Sequence, residues 1–353
     1  MNQGAGQHGA VFSNSMAAYG IQEDSTAITP IKNRVVCKLD SNSKTKRGKF
    51  VAVNDNERCL TVGDVKTSAY KLATYLKSKA KPSIFDTTYS KDYFNYMKSK
   101  EMDSVVDPGY LSRQSEVNFS DRMVMVDYMI EVKKVLDISM NTVYLAVTYI
   151  DKLLDIVNIK EDNFQLVGLI TLLIASKMED VHSKAMNARI VSKLMSLPIS
   201  SELIVETERS MLEARFFKMG LLTRHHYVEK LLKVFKSKNN KETFECVTLM
   251  TLYSSILSSV RPSTVIYCIL EQLQRISEDS KYQKLDSSVD NNGDFEAAKE
   301  YLGVRIINTQ DYDLCTKSIY DVFVLIRKED FPGFEKVCGP IIQFIKGLPL
   351  SMH

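Results

Sequence analysis

Three charged residues stand where apolar periodicity alone would not put them. Arg122 lies in NFSDRMVMVDYMIEV, Asp151 in LAVTYIDKLL and Lys177 in FQLVGLITLLIASKMED. Their chemistry is electrostatic. A buried Arg or Asp without a partner is strongly destabilising, so each needs an opposite charge or a route to solvent. In the first segment Met123, Val126, Ile130 and Leu136 fall on one helical face, with Arg122 next to it. In the second, Val143, Val147, Ile150 and Leu154 form the stripe, with Asp151 beside it. The simplest resolution is an ion pair, Arg122 with Asp151, that joins two helices and has a structural role. Lys177 ends the third run, where a helix C-terminus favours a cation, and spacing alone reads it as a solvated cap.

Nucleophilic, acid–base and phosphate-binding patterns are missing. No GxxxxGK[ST], HExxH, GxSxG or GxGxxG stands in a fitting context. His225 and His226 are adjacent but have no Cys or acid at metal-ligand spacing. No catalytic residue, metal or cofactor is therefore expected, and the chain does not read as an enzyme.

The elements that must position these charges are helices. From Tyr89 onward strand alternation is nowhere sustained. SKDYFNYMKSKEM reads as a helix after a Ser start, and DPGY at 107–110 as a turn. A first set of helices is predicted over 119–136, 140–155, 162–178, 186–196 and 200–214. A second covers 223–236, 242–259, 262–276, about 294–303 and 312–328, with Pro262 suited to a first turn. Helix 162–178 is apolar nearly all round and should be central in its set, with Gly168 and Ala175 allowing close neighbours. The polar stretch 278–294 reads as a long surface loop. Residues 65–79 read as a short helix within an otherwise disordered N-terminal tail.

The length of 353 residues suits two or three domains with a sizeable core. A formal charge of +3, with acids balancing bases across 200–330, argues against nucleic acid as the main partner. The longest apolar run, Leu166–Ala175, is about half of the roughly 20 residues a membrane span needs, so no membrane partner is expected. Cys37, Cys59, Cys246, Cys268, Cys315 and Cys338 form no CxxC pair, and no secretory signal opens the chain. A reducing compartment with buried free thiols is the favoured reading over disulfides. Lys44, Lys46, Arg47 and Lys49 read either as a nuclear-import signal or as a solvated charge run.

The helix trio resembles the A/B-type mitotic cyclins. That family writes its first helix roughly MRAILVDWLxEV, its second LAVxYIDRFL and its third LQLVGxxxxxxASKxEE. Here the same order reads DRMVMVDYMIEV, LAVTYIDKLL and FQLVGLITLLIASKMED. QSEVN at 114–118 is similar to the family's approach to the first helix, and YFNYM to its N-terminal helix. The resemblance is strong over about 89–220 and weaker to about 345. It implies an all-α fold: two consecutive five-helix cyclin-box domains, preceded by an N-terminal helix and a disordered N-terminal tail. The implied division is 1–85 tail, 86–220 first box with its preceding helix, and 221–353 second box-like domain.

The same resemblance assigns roles. Arg122 and Asp151 match the family's buried pair. Lys177 matches the lysine that grips the kinase, and Glu208 of VETERSMLEARFF the glutamate that acts with it. Taken alone, Glu208 reads as an ordinary exposed helix carboxylate. Phe217 matches a phenylalanine inserted at the kinase interface, with core packing as its alternative. Val124, Met125, Tyr128, Glu131, Phe164 and Gln165 match a groove that binds Arg-x-Leu peptides. Asp121, Met123, Tyr128 and Glu161 depart from the family there, so both a docking groove and a patchy helix face stay open.

The function implied is a non-catalytic regulatory subunit. It binds and activates a cyclin-dependent serine/threonine kinase in cell-cycle control at mitosis, with substrate recruitment as a second role. The alternative is a transcription-related or pseudo-cyclin module that does not activate a kinase. Location in nucleus and cytoplasm follows from the same resemblance. The tail has no RxxL or KEN destruction signal, and RSML at 209–212 falls inside a predicted helix.

Overall fold

A computed structural model describes residues 90–181, 184–213, 220–278, 293–304 and 308–339 of the chain. The tail 1–85, the expected helix 65–79, Cys37, Cys59, Phe217 and most of the loop 278–294 lie outside the described residues. The helices are α1 (Ser90–Lys100), α2 (Phe119–Leu136), α3 (Met140–Ile156), α4 (Glu161–Glu179), α5 (Ala188–Leu194) and α6 (Ser201–Glu213). They continue with α7 (Arg224–Leu231), α8 (Lys238–Met250), α9 (Pro262–Glu278), α10 (Asp294–Leu302), α11 (Thr309–Lys328) and α12 (Pro332–Cys338). Among the described residues there is no strand, and no helix is long and apolar enough to cross a membrane.

Local chemistry explains where the first helices begin. Asn118 accepts the N–H groups of Ser120 and Asp121, while the Asp121 carboxylate accepts the Asn118 N–H at 2.9 Å, a reciprocal cap. Asp121, a departure from the cyclin pattern, therefore fixes the start of α2. Ser139 caps α3 through the Thr142 N–H. The Gln114 amide donates to the Leu154 and Val157 carbonyls and accepts the Ile159 N–H, so it closes the end of α3.

In each group of five the third helix is central. α4 touches α2, α3, α5 and α6, and α9 touches α7, α8, α10 and α11. The apolar circumference of α4 follows from that position. Gly168 of α4 faces fully buried Met125 of α2, and a Cβ there would stand 2.9 Å from Met125 Cε. From Phe94 onward α1 serves the second group: Phe94 stacks on Tyr227, and Lys98 Nζ donates to the carbonyls of Leu302 and Gly303. Glu101 is buried and accepts the Ser263 N–H at 3.0 Å, capping α9 behind Pro262.

Two predicted helices differ from those observed. α7 stops at Leu231 and α8 starts at Lys238, because the Asp294 carboxylate takes the N–H groups of Lys236 and Ser237 at 3.0 and 2.9 Å. α8 then ends at Met250 instead of running to 259. Arg224 takes the Thr251 carbonyl, and Arg122 takes those of Leu252 and Tyr253. The carbonyls needed to continue the helix are thus bonded to guanidinium groups, and two short 3-10 turns follow, Thr251–Tyr253 and Ile256–Ser259. The seven-residue α12 was not expected. It returns from the second group onto α2.

The cysteines also depart from the expectation of free thiols. Cys246 of α8 and Cys338 of α12 form a disulfide with Cα atoms 5.8 Å apart, while Cys268 and Cys315 are buried and free.

Candidate functional site

Arg122 and Asp151 are both buried, and they pair in fork geometry: Nε to Oδ1 at 2.7 Å and a second guanidinium nitrogen to Oδ2 at 2.7 Å. Tyr110 and Ser258 hydroxyls donate to the same carboxylate at 2.8 and 2.7 Å. Burial opposes the guanidinium charge, but the Asp151 carboxylate and the Tyr110 oxygen outweigh it and raise the Arg122 pKa. The pair also anchors the second helical group, since Arg122 reaches the 252–253 carbonyls. It is sealed from solvent and is a structural hub.

Lys177 and Glu208 meet at the other end of α4. Lys177 Nζ lies 2.5 and 2.7 Å from the two Glu208 carboxylate oxygens. Lys177 is no free-standing cap: its side chain is 47% exposed, while that of Glu208 is only 9% exposed. Glu208 is therefore not the exposed carboxylate that its local sequence suggests. On α6, Val205 and Leu212 lie one turn to either side of Glu208 on the same face, and both are exposed. Met178 and Val181, next to Lys177 in the chain, are exposed apolar residues as well. The ion pair is thus flanked on α6 by Val205 and Leu212 and followed along the chain by Met178 and Val181, all four exposed.

The remaining residues singled out from the sequence lie along α2 and α4. Val124 is half-buried, and Met125, Tyr128 and Phe164 are buried. The Tyr128 hydroxyl donates to the Leu194 carbonyl at 2.6 Å at the end of α5. Gln165 reaches the same place: its Oε1 accepts the N–H of Ser196 at 3.3 Å and the Ser196 hydroxyl at 2.5 Å. A backbone N–H can only donate, so the amide orientation is fixed. Gln165 Nε2 is left buried without an acceptor. Glu131, one turn along α2, is paired with Lys336 of α12 at 2.5 Å.

Asp127 was not anticipated from sequence. Its carboxylate accepts the N–H groups of Gly333 and Phe334, both at 3.0 Å, and the Tyr253 hydroxyl at 2.7 Å. Burial raises its pKa against the opposing effect of these donors. An acid one place before the aromatic of VDY was the available signal, but its partners lie 126 and 206 residues away. His225 and His226 are half-buried in α7, and the partial burial lowers the pKa of both. Among the described residues no group of three His, Cys, Asp or Glu side chains could hold a metal ion.

Residues 92–220 match the family model described as the cyclin N-terminal domain. The G2/mitotic-specific cyclin-A of Spisula solidissima is 27% identical over 145 residues, 41% of this chain and 34% of that protein. The G2/mitotic-specific cyclin-B of Hydra viridissima is 28% identical over 196 residues, 55% of this chain and 49% of that protein. The G2/mitotic-specific cyclin-2 of Medicago sativa is 30% identical over 166 residues, covering 46% of this chain and 49% of that protein. The chain thus spans between about a third and a half of the length of these relatives. Among solved structures, a viral cyclin from Herpesvirus saimiri is similar at a TM-score of 0.51 and 14% identity, covering 66% of this chain and 98% of that one. The all-helical double five-helix arrangement is thus a cyclin fold. Residues 92–220 thus form a cyclin N-terminal domain, and over this part the chain is a divergent relative of A/B-type mitotic cyclins.

Proposed function

We propose that this protein is the regulatory, non-catalytic subunit of a cyclin-dependent serine/threonine kinase and acts in cell-cycle control at mitosis. The observation that supports this reading best is the Lys177–Glu208 pair among the exposed side chains of Met178, Val181, Val205 and Leu212. A half-exposed ammonium, held in place by a buried carboxylate, offers donors to backbone carbonyls of a partner. The apolar surround supplies area that a partner would cover. The mechanism is a population shift: the protein binds the active conformer of the kinase better than the inactive one and so raises its share. The kinase supplies the phosphoryl-transfer chemistry.

The second role in this proposal is docking of short Arg-x-Leu-type peptides on α2 and α4. Its support is Gln165, whose Nε2 is a buried donor without an acceptor and suits a peptide carbonyl. Nuclear import through Lys44, Lys46, Arg47 and Lys49, with a cytoplasmic pool, belongs to the same proposal.

The test combines Lys177→Ala with Glu208→Ala. Copurification with a mitotic cyclin-dependent kinase and phosphorylation of histone are measured for wild type and double variant. Wild type should bind and activate, and the variant should lose both while keeping its helical circular dichroism. A folded double variant that activates like wild type sinks the contact assignment. A wild type that binds without activating sinks the activating role alone.

A further inference from the structure

We infer that Lys336 is a specificity-determining residue of the α2–α4 peptide site: it neutralises Glu131 from within the chain, so the site gains little from a basic residue of a docking peptide at the position facing Glu131. The inference rests on the proposed reading of that surface as a peptide-docking groove.

The ammonium of Lys336 lies 2.5 Å from Glu131 Oε1, and the Glu131 side chain is only 9% exposed. A carboxylate so withdrawn from water needs a cation, and α12 brings one. That helix is fixed along its length. Its first N–H groups, from Gly333 and Phe334, are bound by Asp127, one turn before Glu131 on α2. Its far end is tied to α8 through Cys338 and Cys246. Lys336 lies between these two anchors, so its backbone is held beside Glu131 and only its side-chain freedom is spent on the pair.

A basic residue of an incoming peptide would have to displace this ammonium. It would exchange one charge-assisted bond for another and leave Lys336 without its carboxylate, so the net gain from the peptide charge is small. A neutral residue leaves the internal pair intact. Affinity then comes from apolar contacts and from backbone bonding at sites such as Gln165 Nε2.

The test uses two fluorescent peptides, identical except for Arg or its neutral isostere citrulline ahead of x-Leu. Polarisation titrations are run on wild type, Lys336→Met and Glu131→Gln in the full chain. Wild type should prefer the Arg peptide by less than about threefold, and Lys336→Met by about tenfold or more, the scale of one freed charge-assisted bond. Glu131→Gln, which leaves the Lys336 ammonium without its carboxylate, should abolish or reverse that weak preference. Equal preference in wild type and Lys336→Met, with both peptides bound, overturns the inference and leaves the docking groove standing. A preference of about tenfold or more for the Arg peptide in wild type overturns it too, and remains readable if Lys336→Met does not fold. Binding of neither peptide to any of the three proteins overturns the groove reading and the inference with it.

Discussion

Arg122 on α2 and Asp151 on α3 form a two-bond ion pair whose members are 0% and 1% exposed. The pair is held by more than its own attraction. Tyr110 and Ser258 fill the remaining acceptor sites of the carboxylate, and the guanidinium reaches two carbonyls of the second helical group. The energetic consequence is asymmetric. Losing one partner leaves a bare charge in the core, whereas losing both leaves neither.

The first prediction follows from that asymmetry. Arg122→Met and Asp151→Leu should each destabilise the fold by about 3–5 kcal/mol, the range for an uncompensated buried charge. The double variant should be more stable than the sum of the two losses implies. Urea denaturation of the four proteins measures the coupling. Additive losses would show that the pair carries no interaction of its own. Arg122→Met should also speed amide exchange around Thr251–Tyr253, because the carbonyls there lose their donor.

Gly333 gives the second prediction. A Cβ at this position would press on the Asp127 carbonyl and stand 3.0 Å from the Glu131 N–H nitrogen. Both obstacles are backbone and cannot rotate away. Gly333→Ala should therefore lift α12 from α2, breaking the Asp127 bonds, at a cost of about 1–3 kcal/mol. Thermal unfolding and amide exchange of Phe334 report the change. Native exchange protection in a variant of unchanged stability would show that the two helices can separate without loss.

Which features were legible in the sequence depended on how far away their causes lie. α2, α3 and α4 match their expected bounds to within one residue, because Asn118, Ser139 and the apolar stripes act locally. The Arg122–Asp151 pair was legible for another reason: a charge on an apolar face demands a partner, and few were on offer. The pairing of Lys177 with Glu208 needed the family resemblance, and the burial of Glu208 was not visible at all. The end of α8 has no local sign, because guanidinium groups from α2 and α7 claim its carbonyls. α12 was missed because it has only seven residues, too few for a period to show, and its glycine answers to an acid 206 residues away. The Cys246–Cys338 bond spans 92 residues and left no local mark either.

The third prediction concerns pH. The His225 ring stacks on Tyr144 with centroids 5.2 Å apart, and its side chain is 13% exposed. Burial, aided by neighbouring His226, lowers its pKa to about 4. Glu229 lies 3.8 Å from Nε2, but this carboxylate is well exposed and too distant to offset burial. In the unfolded chain His225 should titrate near the ordinary value of about 6.5. As pH falls below that value the unfolded state takes up a proton that the folded state refuses until about pH 4, so stability declines across this window and is flat above it. Between about pH 7 and pH 5 the expected loss from His225 is about 2 kcal/mol. Asp127 and Glu245, whose carboxyls burial raises, act in the opposite direction as they protonate. The decisive quantity is therefore the difference between wild type and His225→Phe, which keeps the stack on Tyr144 and removes the titration. The stability of His225→Phe should fall less steeply with acid than that of wild type. Parallel curves for the two proteins between about pH 7 and pH 5 would mean that the folded state accommodates a protonated His225, against the burial argument.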